Sequence, residues 1–375
     1  MKVLHVFNEI KFSGAELMYV KAASFFQKNG IEMYAISTGQ NLGDFATEFT
    51  NNNIKVFYRP IKSEIRFSLN RILYYYDFYK FLKEEKIDVL HIHRSDLFLL
   101  AFISRILKIP TVKTIHNVFK NRAYTRFYAI FKRWLARNVS NVIFQTIGQS
   151  VYQNELIYYK NPSIIINNWY DSKRFYPLKN KEEKQLIRKK LNINKDVFVI
   201  VSVGGCSNVK NHEDIINALN LVKSQIDINY LHLGTGSIEK DEKKLVGALG
   251  LQSQVYFLGN KNNVQDYLAV SDLYLQPSKH EGLSIACLEA MACGIPSILY
   301  DVPGLRDLIK ENDNGFLINA NYHLLAEKIL EYKNNPDLLT AKGNSALKFV
   351  NENYSMKTNV KKMIDLYNQI SILKH

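Results

Sequence analysis

Short apolar runs alternate along the chain with longer stretches of helical spacing, the pattern of parallel strands covered by helices. In the first half the runs predict strands over Lys2–Phe7, Met33–Ser37, Lys55–Tyr58, Val89–Ile92, Thr111–Ile115, Val142–Gln145 and Ile164–Ile166. A helix over Ala15–Lys28 fits between the first two, closed by Asn29-Gly30, and a tyrosine-rich helix is expected near Leu69–Lys86. The pattern then restarts. Strands are expected at Val197–Val203, Asn229–Leu233, Val255–Leu258, Leu273–Gln276 and Ser297–Leu299. Helices near His212–Ser224, Glu239–Leu249, Ser284–Ala292 and His323–Lys333 intervene. Two sets of βα units, joined by a polar stretch near Asn168–Asn194, predict an α/β fold of two Rossmann-like domains facing a cleft. The tail from Ser355 to Leu373 keeps helical spacing through Val360, Met363, Ile364, Tyr367 and Ile370.

Composition narrows the class. The 375 residues are 47% hydrophobic and 22% charged, which excludes wholesale disorder and coiled coil. Three cysteines, Cys206, Cys287 and Cys293, form no disulfide framework and no CxxC or Cys/His zinc spacing, and fit a reducing cytosol. Neither a secretory signal nor an apolar run of spanning length is read, so a cytoplasmic location is expected. The net charge of +14 is uneven: the first 170 residues hold 23 basic and 12 acidic side chains. That half is expected to meet something acidic.

The most informative segment runs from Ser278 to Pro296. It follows a strand ending at Gln276 and opens a helix near Ser284, where α/β folds bind anionic groups on backbone amides. Gly282 permits close backbone approach, and the amides around Gly282–Ile285, those of Gly282, Leu283 and Ser284 among them, are expected to face a phosphate. Glu281 stands before the helix and Glu289 within it. Both are pure acceptors, suited to the hydroxyls of a sugar and a ribose.

Glu281 and Glu289, eight positions apart, with Gly282 after the first and Ala290–Pro296 after the second, resemble the signature of the family-4 glycosyltransferases. That family comprises retaining, nucleotide-sugar-dependent enzymes of the GT-B fold. The likeness extends in order to Ser13-Gly14-Ala15-Glu16, Thr114-Ile115-His116-Asn117, Asn168-Trp169-Tyr170-Asp171, Lys210-Asn211-His212 and Leu233-Gly234-Thr235-Gly236. The resemblance implies that Glu281 lies by the donor sugar, Glu289 holds the ribose and Lys210 neutralises the leaving diphosphate. It also implies that His116 approaches the sugar and that the Gly14 loop closes on the donor, with Gly234 at the next strand end. Catalytic roles thus fall to Glu281, His116 and Lys210. One departure stands out: Gly205-Cys206 follows Gly204 where the family usually carries an arginine directly after the glycine.

Three domains follow from this reading: residues 1–168 for the acceptor, 169–354 for the donor, and a C-terminal helix, 355–375, returning to the first. No cofactor and no essential metal are expected, since no Asp-x-Asp motif occurs in a suitable loop. His91 and His93 share a strand face, in the cleft or in the core. Cys206 reads as a packing residue with no base beside it. A nucleotide-sugar epimerase of the same architecture and a basic nucleic-acid-binding protein are the alternatives; the glutamate motif favours transfer, to a glycan or polyprenyl-linked acceptor in surface-polysaccharide synthesis. Between Asp96 and Glu155 there are nine basic residues and no acidic one. A helix there would gather Phe127, Ile130, Phe131, Trp134 and Leu135 on one face and Arg122, Arg126, Arg133 and Arg137 on the other. That predicts peripheral docking of segment 119–137 on an anionic membrane through the arginines.

Overall fold

The computed structural model describes residues 1–375 except 62–68, 95–97, 121, 311–312 and 373–375. The chain forms two compact units, one of Met1–Trp169 with Met356–His375 and the other of Tyr170–Ser355.

In the first unit seven parallel strands, β1 (Lys2–Phe7), β2 (Glu32–Ser37), β3 (Lys55–Tyr58), β4 (Val89–Ile92), β5 (Thr111–Ile115), β6 (Val142–Thr146) and β7 (Ile164–Ile165), lie in the order β3-β2-β1-β4-β5-β6-β7. The second unit holds six, β8 (Phe198–Val203), β9 (Ile228–Leu233), β10 (Val255–Gly259), β11 (Leu273–Gln276), β12 (Ser297–Tyr300) and β13 (Phe316–Ile318), in the order β10-β9-β8-β11-β12-β13. Each sheet is doubly wound. Its winding reverses between β1 and β4 in one unit and between β8 and β11 in the other, and such switch points are where open α/β sheets hold ligands.

Buried apolar side chains explain the strands. Leu4, Val6, Ile36, Leu90 and Ile92 pack under helix residues Phe78, Phe81 and Leu82, while Ile200, Ile228, Tyr230, Leu273 and Leu275 pack with Ile215, Leu219 and Ile329. The tail helix, Met356–Ile372, buries Val360, Met363, Ile364, Tyr367 and Ile370, as its spacing predicts, and belongs to the first unit. Its Tyr367 hydroxyl meets Nδ1 of His91 at 2.5 Å, and its ring lies against Phe26.

Several elements depart from the sequence reading. Trp169 closes the first unit rather than opening the second, because its indole N–H donates to the Met18 carbonyl and its ring packs on Tyr19. The polar stretch Asn168–Asn194 contains a helix, Lys181–Lys190, capped by Asn180 accepting from the Glu183 N–H. Its anchor is Arg188, a buried guanidinium satisfied by Asp272 and by the carbonyls of Val270, Lys195 and Val197. The helix Pro336–Tyr354 and strand β13 were not foreseen.

The largest correction concerns the helix Ala123–Asn138. Its arginines do not form a free face. Arg133 donates through Nε and Nη2 to both oxygens of Glu155, at 2.8 and 2.9 Å, and lies over the Tyr159 ring. Arg126 donates to the Tyr158 carbonyl and Arg137 to Asn161. Ala129 and Ala136 are buried along the same side. The aromatic side faces out instead, with Phe127 77%, Phe131 53% and Trp134 49% exposed. Glu155 is the reason: its side chain is 1% exposed, and a buried carboxylate requires countercharge.

Candidate active site

In the second unit, two loops leave the carboxyl ends of the neighbouring strands β8 and β11. The first, 204–211, carries Lys210, and the second, 277–284, carries Glu281. They are stitched together: the Lys279 N–H donates to the Val209 carbonyl at 2.8 Å, and Asn211 Nδ2 donates to the Pro277 carbonyl. Glycine is required where backbones meet. A Cβ on Gly234, at the end of β9, would stand 2.0 Å from the Gly204 oxygen. A side chain at Gly205 would meet the Thr235 carbonyl at 2.9 Å, so an arginine could enter this position only if Thr235 moved. The missing guanidinium is thus part of how the loop 204–211 packs on the turn after β9.

Lys210 Nζ lies 2.5 Å from Glu281 Oε1. The same oxygen accepts from Gln276 Nε2 at 2.8 Å and from Ser278 Oγ at 3.0 Å. Gln276 is oriented in turn, its own oxygen accepting from Ser284 Oγ at 2.7 Å and Tyr274 OH at 3.1 Å. Ser284 also caps the helix Ile285–Ala292, its hydroxyl accepting from the Cys287 N–H. One network therefore links strand end, carboxylate, lysine and helix cap. Gly282 and Leu283 lie buried between Glu281 and that cap.

Glu289 sits within the helix, partly buried, and does not join this network. Burial pushes its carboxyl up to about 8, against the opposing pull of Arg174. Arg174 is itself held by Gln265 and the Asn262 carbonyl. Gln276, Ser278 and Arg174 were not foreseen. Gln276 and Ser278 flank a proline without motif spacing of their own, and Arg174 lies about a hundred residues away in sequence.

The other two candidates belong to the first unit. Gly14 opens the helix Gly14–Lys28, where Ser13 bonds the Glu16 carboxylate. His116 follows β5 and ends a chain of imidazoles: His93 Nδ1 lies 3.1 Å from His116 Nε2, and His5 Nδ1 lies 3.0 Å from His93 Nε2. Burial, then the nearby Lys113 charge, lowers His116 to about 3, so the ring is neutral near pH 7. His91 proves structural, with both nitrogens engaged by Tyr367 and Thr114. His93, by contrast, supports His116.

A second constellation of the second unit has no counterpart in the sequence reading. Cys206, His212, His232 and Glu242, all buried, bring one ligand-type atom each within 4.8 Å of one another. Cys206 therefore does have a base beside it, His232 at 3.1 Å. Burial raises the thiol and lowers His232 to about 3, so the two do not form an activated ion pair.

The comparisons with known proteins fit this arrangement. Residues 12–148 match the model described as Glycosyltransferase Family 4, and residues 183–349 match Glycosyl transferases group 1. The chain is a family-4 glycosyltransferase. This glycosyltransferase is 26% identical over 286 residues to the Escherichia coli UDP-Gal:alpha-D-GlcNAc-diphosphoundecaprenol alpha-1,3-galactosyltransferase, covering 73% of each chain. It is 26% identical to the Staphylococcus aureus capsular polysaccharide biosynthesis glycosyltransferase CapH, covering 77% of this chain and 78% of that one. Its fold matches Anabaena HepE in complex with UDP at a TM-score of 0.83 and 19% identity, over 98% of this chain and 100% of the other. The fold is GT-B, and family membership decides for transfer over the epimerase and nucleic-acid readings. No helix among the described residues is long and apolar enough to cross a membrane.

Proposed function

We propose that this glycosyltransferase moves a sugar, with retention, from a nucleoside-diphosphate sugar on its second unit to a glycan or lipid-linked acceptor served by its first, in surface-polysaccharide synthesis. The support is the lysine–glutamate pair at the mouth of a capped helix. Lys210 is neutralised by Glu281 in the structure. A diphosphate arriving at the helix cap would compete for the ammonium, leaving Glu281, still held by Gln276 and Ser278, to accept from sugar hydroxyls. As the anomeric C–O bond breaks, charge develops on the β-phosphate oxygen, and preorganised donors are worth most there. Lys210 and the amides of Gly282, Leu283 and Ser284 supply them. The acceptor oxygen bonds the same face of the sugar and its proton passes to the leaving phosphate. Glu281 positions the sugar. Glu289 accepts from the ribose, His116 supplies a neutral imidazole to the donor sugar, and the Gly14 loop closes on the donor. No metal takes part in the reaction.

The acceptor is lipid-linked, as the Escherichia coli relative's diphosphoundecaprenol substrate suggests, and the first unit docks peripherally on the cytoplasmic face of a membrane. The segment 119–137 makes the contact, but by inserting Phe127, Phe131 and Trp134 rather than by presenting arginines. Exposed Lys120 and Arg122 retain some preference for anionic lipid.

A nucleotide-sugar panel tests the reading. One donor should raise the melting temperature and release free nucleotide faster when a lipid-linked acceptor is added. A folded protein that no donor stabilises, and that releases no nucleotide with any acceptor, would refute it.

A further inference from the structure

We propose that Cys206, His212, His232 and Glu242 form a four-coordinate structural zinc site that clamps the loop carrying Lys210. The donor set is one thiol, two imidazoles and one carboxylate, drawn from four elements: the loop after β8, the first turn of helix His212–Val222, strand β9, and helix Glu239–Ala248. Soft sulfur with imidazole nitrogen in a closed set of four is the chemistry of zinc rather than of magnesium or calcium.

Two of the six ligand–ligand edges are close to what the ion requires, and all six lie within 4.8 Å. Zinc bonds of about 2.3 Å to sulfur and about 2.0–2.1 Å to nitrogen or oxygen give tetrahedral edges of about 3.3–3.6 Å. Cys206 Sγ lies 3.1 Å from His232 Nε2, and His212 Nδ1 lies 3.2 Å from Glu242 Oε1. Both contacts fall within about half an ångström of those edges. The outer shell is present too. With Nε2 of His232 toward the metal, its Nδ1 carries the proton, and Ser202 Oγ stands 3.2 Å away to accept it.

One polar atom of the cluster lacks a partner. Glu242 is 3% exposed, and its Oε2 has no hydrogen-bond partner among the described residues. A carboxylate so buried is costly, and a divalent cation would remove the cost. With Cys206 as thiolate and Glu242 as carboxylate, the zinc site is neutral overall. Binding breaks the Cys206 S–H bond, forms the S–Zn bond and releases the proton to solvent, with no change of oxidation state. Four protein ligands leave no open position, so the ion holds structure and does not activate substrate. Cys206 and His212 bracket Lys210, and the clamp would set that lysine's loop before any donor arrives.

The test uses the full chain, tag removed and stripped with chelator, then titrated with Co2+ alone and with Zn2+ alone. One equivalent of cobalt should bind with the intense visible bands of tetrahedral coordination and a thiolate-to-metal charge-transfer band. Zinc at about 100 times its Kd should raise the melting temperature by about 5 °C or more. Cys206→Ser should abolish the charge-transfer band, Cys287→Ser should keep it, and Glu242→Gln should weaken binding at least about tenfold. Absence of the charge-transfer band in the folded wild-type chain would overturn the proposal, as would a band that survives in Cys206→Ser or cobalt bound only with a weak six-coordinate spectrum. If a variant fails to fold, the wild-type cobalt titration still decides. None of these readouts depends on glycosyl transfer.

Discussion

Arg133→Leu separates two opposite orientations of the helix Ala123–Asn138. If its arginines formed an outward face, the substitution would leave stability alone and weaken binding to anionic vesicles. In the structure Arg133 holds both oxygens of a carboxylate whose side chain is 1% exposed, with Asn161 Nδ2 as the remaining donor at 2.8 Å. Removing one partner of a buried pair costs about 3–5 kcal/mol, because the other charge is stranded. Arg133 is itself 22% exposed, so some water can reach the pair, and we expect the lower end, about 3 kcal/mol. For a unit of this size that lowers the melting temperature by about 6–12 °C. The second change Glu155→Gln removes the stranded charge while keeping an acceptor for Asn161, and should restore more than half of the loss. Differential scanning calorimetry reads the stability, and co-sedimentation with anionic vesicles reads the docking. A melting temperature within about 1 °C of the wild type, together with lost vesicle binding, would refute the inward orientation.

Three further outcomes follow from the site. Lys210→Ala and Glu281→Gln should each reduce kcat by about 10²–10³, and Lys210→Ala should also lower the melting temperature, since it leaves the Glu281 carboxylate, 13% exposed, without its countercharge; normal turnover in a folded variant would remove that residue from catalysis. Burial raises Glu289 from 4.5 to about 8, so the folded state holds a proton that the unfolded state has lost, and stability should fall as pH rises between those values. Glu289→Gln should flatten that slope, and if the carboxylate accepts from ribose it should also abolish a rise in nucleotide affinity toward pH 8; identical pH profiles by thermal melt would count against both. The triple variant Phe127→Ser, Phe131→Ser, Trp134→Ser should lose vesicle binding without lowering the melting temperature, and wild-type binding should survive high salt better than an arginine-driven contact would. Binding abolished by salt and untouched by the triple substitution would reverse that expectation.

Periodicity and strand-end motifs made much of the fold legible. Among the described residues, apolar runs marked twelve of the thirteen strands, missing short β13, because burial on both faces of a parallel sheet leaves a continuous local signal. The Glu281–Glu289 spacing was legible for the same reason: loop and helix are contiguous in the chain. Val360, Met363, Ile364, Tyr367 and Ile370 likewise announced a buried helical stripe, while its return to the first domain was implied by the family resemblance and not by the spacing.

What the tertiary structure decided depends on neighbours brought from far along the chain. A helical period states which side chains share a face, but it does not say which face is buried. Glu155, the Tyr158 carbonyl and Asn161, lying beyond the acid-free stretch, hold Arg133, Arg126 and Arg137 inward, and Phe127, Phe131 and Trp134 are left exposed. Gly205 reads as a lost arginine until the Thr235 carbonyl is seen 2.9 Å from where its Cβ would stand. Cys206, His212, His232 and Glu242 carry no zinc spacing, because a doubly wound sheet delivers them from four separate elements. Local order follows from solvation and backbone geometry along the chain, whereas charge pairing and ligand clusters arise only when the chain has folded back on itself.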